Sequence, residues 1–489
     1  MKPIRIILIS LNNNLDPGST YSPPYGLEIL HSNLPRNIAD VKIITPFAGS
    51  SADLSRFRSL ILEFRPHLIG VSIRNIDNCL TMYSDEERNC EREESPFFYL
   101  DKLRSLLKTL NEIEKDCNII IGGAGFTGCP EPIMEYLNVD IGVLGPGEYA
   151  FSKIVEYMFI NNSVFPGRAY VRNLPGTIIR ENNTHFVRGR KPYNLKNESE
   201  FALIRDAKYI EYVRSVKEHL PVRTKTGCSL RCCHCFEHNN YSSPTFRPVE
   251  HVIKEVSQCI KEYRVNKIFL ADSELNLPNE NHIIELLSGL FSARLNRDAA
   301  FSGYFNINHF TKDLAEILQN FNFYVNLTID SFDNDLLKFI GKDFLFDEIE
   351  TVIKMCNEHR LIHSGSVIFG WPGETIKKID KTINIMKILT QQYGTIWSYS
   401  PGIRLYPNTR LARYVRNKGF RHIYGFRTKS FLEPVVFCEA MSPRNLATHL
   451  AEAFSTWPMI QQMNQNKSPD ARLFYLRKKV LASHYTAIK

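Results

Sequence analysis

The sequence predicts an α/β protein made of two successive units: an N-terminal doubly wound parallel sheet, then a partial (β/α) barrel. Three observations predict it. Short apolar runs rich in β-branched residues alternate with longer helix-like segments along most of the chain. Strands that alternate with helices need crossover connections, and crossovers make parallel sheets. Polar, acidic or glycine residues stand directly after the runs, at the carboxyl ends of strands where parallel sheets bind their ligands. At 489 residues, the chain is also too long for one ordinary core.

In residues 1–160, Ile4–Ser10, Leu68–Ile73, Asn118–Ile121 and Ile141–Leu144 read as strands, with Tyr25–Leu34, Phe98–Ile113 and Phe151–Phe159 as helices between them. Their strand ends carry Ser72-Ile-Arg-Asn75, Gly122-Gly-Ala-Gly125 and Gly145-Pro-Gly-Glu148. Residues 161–215 hold the breakers Asn161-Asn162, Pro166-Gly167, Pro175-Gly176 and Asn182-Asn183, and read as a linker with some hairpin character. From 216 to 400 the alternation resumes with Val222–Thr226, Lys267–Ala271, Phe301–Asn306, Tyr324–Ile329 and Gly365–Phe369 as strands. Val249–Tyr263, Asp347–His359 and Ile376–Leu389 are the helices that separate them. Residues 401–489, including Gly402-Ile-Arg-Leu-Tyr-Pro-Asn-Thr409, read as a substrate or capping region that closes the barrel mouth.

Composition excludes several classes. With 43% hydrophobic and 23% charged residues, the chain is globular throughout. Its basic start and apolar run mimic a signal peptide, but the run is short and ends in Asn12-Asn13-Asn14 without a small-residue cleavage site. It reads as a buried first strand. No stretch approaches the length needed to span a bilayer, so no membrane partner is expected. Eleven cysteines, clustered at one motif and otherwise scattered, speak against a disulfide framework and for a reducing cytoplasm. The net charge of +8 is mild, with Arg188-Gly-Arg-Lys191 as the densest patch; a solvated surface is expected rather than a nucleic-acid footprint.

Cys228, Cys232 and Cys235 stand at CxxxCxxC spacing in one short loop. Thiolates are the usual ligands of iron–sulfur clusters, and three of them leave one iron of a [4Fe–4S] cube open to a small molecule. On spacing alone, a Cys3His zinc knuckle completed by His234 or His238 is the alternative. Cys233, inside the motif, reads as a packing residue. A zinc knuckle predicts nothing downstream, whereas the strand-end loops that follow do form a pattern.

Over residues 215–400, that pattern resembles the radical S-adenosylmethionine (SAM) superfamily. The resemblance implies that the open iron chelates SAM and that the reduced cluster cleaves it to methionine and a 5′-deoxyadenosyl radical. An external electron donor such as flavodoxin or ferredoxin is implied with it. In Asp272-Ser-Glu-Leu-Asn276, Glu274 stands where the family has a Gly-Gly-Glu type motif that holds the SAM amino group; both glycines are replaced here. Ile368-Phe-Gly-Trp-Pro-Gly-Glu374 resembles the strand end whose backbone approaches the adenine, making Gly370 and Glu374 cofactor candidates. Asp330 and Ser331 are candidate ribose partners, with a helix N-cap as the plain alternative.

A doubly wound sheet ahead of such a barrel resembles the cobalamin-dependent branch of these enzymes. Pro23-Pro-Tyr-Gly-Leu27, Gly70–Asn78, Gly122–Gly125 and Gly145–Glu148 carry the likeness, which makes Gly125, Gly145 and Glu148 cofactor candidates. In related corrinoid folds, a serine after the third strand and a glycine pair after the fourth accommodate the nucleotide tail, positions matched here by Ser72 and Gly122-Gly123. Cys79–Pro96 looks like an insertion between them. The Asp-x-His-x-x-Gly run of histidine-ligated cobalamin domains is missing, and no histidine precedes His31. Arg74 stands at the strand end where some family members place an arginine beneath cobalt. A guanidinium offers cobalt no lone pair. Arg74 is thus a candidate catalytic and cofactor-binding residue, with an ion pair to Asp77 or to a phosphate as its bland alternative.

Together these resemblances imply a cobalamin-dependent radical SAM methyltransferase that uses SAM, a [4Fe–4S] cluster and cobalamin. Its methyl group would pass through methylcobalamin to an unactivated carbon or phosphorus of a small-molecule or peptide substrate. A cyclase or rearrangement enzyme with the same cofactors, or a non-catalytic corrinoid- or zinc-binding protein, are the alternatives.

Overall fold

The computed structural model describes residues 2–11, 24–45, 54–77, 98–114, 117–182, 185–190, 203, 205–216, 218–237, 243–425 and 431–463. Asn12–Asn14, Pro23, the Cys79–Pro96 insertion, Lys191, His238 and residues 464–489 lie outside them.

The first sheet is built on β1 (Ile4–Ser10), β2 (Ala39–Ile44), β3 (Leu68–Ser72), β4 (Asn118–Gly122) and β5 (Ile141–Val143), parallel and in the order β2-β1-β3-β4-β5. Side chains alternate across a strand, so β1 feeds two cores. Ile4, Ile6 and Leu8 pack with Leu27, Phe151 and Ile154, while Ile7 and Ile9 pack with Phe57, Leu103 and Leu107 on the opposite face. Strand order reverses between β1 and β3, which places the post-β3 loop with Ser72 and Arg74 at the switch point of the sheet, the usual ligand crevice. β6 (Thr177–Arg180) and β7 (Phe186–Arg188) extend the sheet antiparallel beyond β5. The hairpin expected in the linker therefore belongs to this sheet.

The second unit begins with β8 (Leu220–Val222). The single strand expected over Val222–Thr226 is broken, because the Thr224 N–H and hydroxyl both turn to the Asp272 carboxylate, at 2.8 and 2.5 Å. β9 (Lys225–Thr226) instead pairs antiparallel with β10 (Thr245–Phe246). β11 (Lys267–Leu270), β12 (Ala300–Phe305), β13 (Asn322–Asp330), β14 (Ile362–Phe369) and β15 (Ile396–Pro401) then follow β8 side by side in chain order, all parallel. The sheet ends at β8 on one side, so it is a partial barrel.

The C-terminal region forms a small antiparallel sheet of β16 (Ile403–Arg404), β17 (Ile423–Gly425) and β18 (Val435–Phe437), in the order β16-β18-β17. It also supplies β19 (Ile460–Gln462), a seventh parallel strand at the far edge of the barrel sheet.

Two buried ionic joints bridge the units. Arg205 bonds Glu28 of the first unit at 2.9 Å and Glu255 of the second at 2.8 Å, and its guanidinium lies 4.5 Å over the Tyr25 ring. Arg247 completes the group on Glu255 at 2.8 Å. At the other joint, Arg404 of β16 meets Asp77 of the post-β3 loop at 2.7 Å, with side chains 4% and 1% exposed. No helix among the described residues is long and apolar enough to cross a membrane, and the described cysteines are all free.

Candidate functional site

The loop after β9 carries the cysteine motif to the carboxyl end of the barrel sheet. Cys228, Cys232 and Cys235 are partly exposed, whereas Cys233 is fully buried with Leu336, Ile340, Trp371 and Leu411. Its N–H donates to the Ile340 carbonyl at 2.7 Å, which ties this part of the loop to the helix Asn334–Ile340. The other thiols feel one another electrostatically: Cys235 is coupled to Cys228, and Cys232 to Cys235. Burial raises all three above the ordinary thiol value, Cys235 to about 11. Among the described residues, no three His, Cys, Asp or Glu side chains already stand at metal-binding spacing. The fit to a cluster thus rests on donor chemistry: three soft thiol donors on one loop, free of disulfides, with a fourth cysteine turned into the core.

Around them, the strand ends form a charged floor. Glu274, after β11, is buried, and burial raises its carboxyl above the ordinary value. Its Oε1 accepts from the Thr328 hydroxyl at 2.7 Å, but its buried Oε2 has no partner. Asn306, after β12, is fixed on three sides. Its N–H donates to Asn276 Oδ1 at 2.8 Å, its carbonyl accepts from Asn276 Nδ2 at 2.9 Å, and its Oδ1 accepts from the Asn308 N–H at 2.7 Å. Its Nδ2 is buried without a hydrogen bond, although it lies near enough to Glu274 to draw that carboxyl's pKa down. An acceptor and a donor thus stand side by side on the floor. Lys342 neutralises the floor: its ammonium meets Asp330 at 3.1 Å, donates to the Thr328 carbonyl at 2.8 Å, and is held strongly protonated by Asp330, Glu274 and Cys232 despite burial. Lys225, also buried, donates to the Leu277 carbonyl.

The second strand-end set approaches from the first unit. Arg74 has an exposed side chain, yet surrounding protein crowds it enough to lower its guanidinium pKa, with the Tyr304 phenol acting in the other direction. Tyr304 lies on β12 and is 42% exposed, so Arg74 stands close to the barrel's strand β12. The two units also approach at Gly128, where a Cβ would lie 2.4 Å from the ring of Phe236, the residue after Cys235. Phe236 in turn packs edge-on against Tyr406, with centroids 5.0 Å apart.

Residues 222–386 match the profile of the radical SAM superfamily. That stretch is a radical SAM domain. An uncharacterized methyltransferase of Pyrococcus horikoshii is 24% identical over 470 residues, covering 94% of this chain and 90% of that protein. The tryptophan 2-C-methyltransferase of Streptomyces laurentii is 21% identical over 490 residues, covering 86% and 77%. Among solved structures, the radical SAM methyltransferase TsrM from Kitasatospora setae, with cobalamin and a [4Fe-4S] cluster bound, aligns with a TM-score of 0.76 at 19% identity over 94% of this chain and 93% of its own. The cobalamin-dependent SAM radical enzyme OxsB, with aqua-cobalamin and SAM bound, aligns at 0.65 and 16% identity over 93% and 66%. The two-unit fold of this chain is therefore the one seen in TsrM and OxsB.

Several residues expected to touch cofactors have another task in this radical SAM fold. A Cβ at Gly123, where φ is +100°, would lie 2.5 Å from the Ile73 carbonyl oxygen, and one at Gly125 would lie 2.7 Å from that of Arg74. These glycines let the post-β3 backbone pack against the post-β4 turn, a reason different from the expected room for a nucleotide tail. A Cβ at Gly122 would meet the Val143 carbonyl at 3.3 Å, and Gly145 donates its N–H to the Thr127 hydroxyl at 3.0 Å. Glu148 is buried in the first turn of helix Glu148–Ile160, where an anion is favoured. The side-chain space at Gly370 is filled by Cys438 Sγ at 2.7 Å, not left open for a ligand. Glu374 Oε2 is engaged by the N–H groups of Gly370 and Trp371 at 2.5 and 3.2 Å, so this carboxylate holds its own loop.

Ser331 accepts from the Asp333 N–H at 3.2 Å, and the cap of helix Asn334–Ile340 is Asp333, not either ribose candidate. Asp330, at φ +68°, is committed to Lys342. Ser72 closes β3 in register with Ser10 and Gly122. The alternative partner considered for Arg74, Asp77, is taken by Arg404. Asn306, Lys342 and Tyr304 carry no motif that sequence reading could catch; each matters because of the neighbour that the barrel brings to it.

Proposed function

We propose that this protein is a cobalamin-dependent radical SAM methyltransferase that moves a methyl group from SAM, by way of cobalamin, to an unactivated carbon or phosphorus of a small-molecule or peptide natural-product precursor. The observation that carries this reading is the approach of two strand-end loop sets, with Arg74 near Tyr304 of the barrel and Gly128 against Phe236 beside the cysteine motif. When bound, the cluster supplies an electron to the SAM sulfonium and the corrinoid carries the methyl group.

The chain's own residues then have the following parts. Cys228, Cys232 and Cys235 hold the cluster. Glu274 Oε2 receives the SAM ammonium, and Asn306 Nδ2, fixed by Asn276 and Asn308, donates beside it. Asp330 and Lys342 keep the floor neutral next to Cys232, while Ser331, Gly370 and Glu374 shape the loops around it. Ser72, Gly122, Gly123, Gly125, Gly145 and Glu148 would frame a bound corrinoid, and Arg74, whose guanidinium has no lone pair to offer, would give the cobalt no ligand. Residues 1–160 together with the β6–β7 hairpin serve as the cobalamin unit, 216–400 as the catalytic barrel and 401–489 as its cap. A reducing cytosol and an external electron donor complete the assignment, with no nucleic acid as substrate.

Transfer of the methyl group to cobalamin needs no substrate, which gives a direct test. Anaerobically reconstituted protein is supplied with cobalamin, a low-potential reductant and SAM labelled at its methyl group. The label is expected on the bound corrinoid, visible both by its spectrum and by chromatography. Deoxyadenosine release without any methyl transfer would replace this reading with that of a cyclase or rearrangement enzyme.

A further inference from the structure

The mild net charge conceals a strongly uneven distribution. Lys381 to Leu432 contains ten lysines and arginines and no aspartate or glutamate, which exceeds the +8 of the whole chain. Within this stretch, helix Arg410–Asn417 buries Leu411, Ala412 and Val415 in one apolar cluster with Cys233, Leu336 and Ile340. The Leu411 N–H donates to the Cys233 carbonyl at 2.8 Å, so the helix lies directly on the cysteine loop. Exposed cations stand on this helix and just beyond its end: Arg410 and Arg413 on it, Lys418 and Arg421 after it.

Two further cations border this face. Arg231 belongs to the cysteine loop itself, and its carbonyl oxygen lies 3.1 Å from where a Cβ of Gly341 would stand, as does the Arg410 guanidinium. Lys338 is exposed on helix Asn334–Ile340, which is tied to the basic helix by Arg410 bonding the Ile340 carbonyl at 2.9 Å and by the Phe339–Tyr414 ring contact. Asp335 is the acidic exception on that short helix.

This face lies behind the cysteine loop. Cys233 points toward it, whereas Cys228 and Cys232 sense Glu274 and Lys342 at the barrel mouth. A nucleic-acid substrate would need its cations at the mouth, where the reacting atoms meet. Cations behind the loop serve a different purpose, since one helix, about 10 Å across, separates them from the thiols.

We infer that this face docks an acidic one-electron carrier protein and is the route by which electrons reach the site. The inference rests on the assignment of Cys228, Cys232 and Cys235 as cluster ligands. In the step, the reduced carrier loses one electron and the oxidised cluster gains it, with no bond made or broken. Charge complementarity raises the encounter rate and sets which face of the carrier meets the loop.

The test compares the wild type with an R413E/K418E variant, both reconstituted with iron and sulfide. Each is mixed anaerobically with fully reduced flavodoxin, and bleaching of the cluster absorbance is followed in stopped flow. At low salt, the variant is expected to be reduced about tenfold more slowly or worse. The wild-type rate should fall steeply with added salt while the variant's changes little. Dithionite, which needs no docking face, should reduce both alike, and R413K/K418R should keep the wild-type rate. Equal flavodoxin rates in wild type and R413E/K418E overturn the inference. So does a variant that keeps its flavodoxin rate but loses retention of tRNA in a gel-shift assay, which would assign the face to nucleic acid. If dithionite reduces neither protein, or no iron is retained, the cluster assignment itself fails and takes the docking face with it.

Discussion

Glu374 provides a sharp physical test of the barrel, because its carboxylate is buried yet bonded only to backbone. Burial raises its pKa from 4.5 to about 7, more than the Gly370 and Trp371 N–H groups can offset. A carboxyl whose folded pKa lies above its unfolded one contributes stability that is complete below pH 4.5 and lost as pH rises through about 7. At about 1.4 kcal/mol per pH unit, the loss is roughly 3 kcal/mol by pH 8.5. Glu374→Gln keeps an oxygen acceptor for both N–H groups and removes the titration. The variant should therefore match the wild type within about 1 kcal/mol at pH 5 and exceed it by roughly 3 kcal/mol at pH 8.5. Urea unfolding read by tryptophan fluorescence at both pH values measures this, with Trp371 and Trp397 both buried in the second unit. A stability difference that is the same at both pH values, or a variant weaker at pH 8.5, would refute the reasoning and show that Glu374 ionises freely in the fold.

Three other outcomes are expected. Replacing Cys228, Cys232 and Cys235 with alanine should abolish iron retention, whereas Cys233→Ala should keep iron and lose only about 1 kcal/mol of packing, measured by metal analysis and unfolding midpoints. In the cob(II)alamin form, the electron paramagnetic resonance spectrum should lack nitrogen splitting from an axial ligand, and Arg74→His should introduce it; splitting already present in the wild type would remove Arg74 from beneath cobalt. Arg404→Met should leave Asp77 buried without its cation, at a cost of about 3–5 kcal/mol, and should lower cobalamin retention because Asp77 anchors the loop that bears Ser72 and Arg74.

Local patterns were legible in the sequence wherever a short segment fixes its own structure. β1 and β4, the long helices and the cysteine loop follow from apolar period, strand-end glycines and motif spacing. β19 was missed because its three residues carry no pattern of their own and become a strand only by pairing with β15. Gly123 and Gly370 were recognised as special, but the neighbour that demands each, Ile73 in one case and Cys438 in the other, lies far along the chain. Glu374 illustrates the same limit at the site: its position in the motif is readable, while the turn of its carboxylate back onto Gly370 is a property of the folded loop. Asn306 and Lys342 were invisible for the converse reason, since an isolated asparagine or lysine acquires meaning only beside Glu274 and Asp330.

The two ionic joints between the units have a consequence that differs from adhesion. A buried pair recovers in Coulomb attraction roughly what its charges lose in hydration, so Arg205 with Glu28 and Glu255, or Arg404 with Asp77, adds little grip compared with well-fitted apolar side chains. What such a pair does supply is intolerance of sliding, because a small displacement leaves a charge buried alone. The joints therefore behave as dowels: they fix where one sheet lies against the other more than how firmly. Under the proposed methyl transfer, handing a one-carbon group between cofactors held on separate sheets would depend on that placement, and these two salt links would set the spacing.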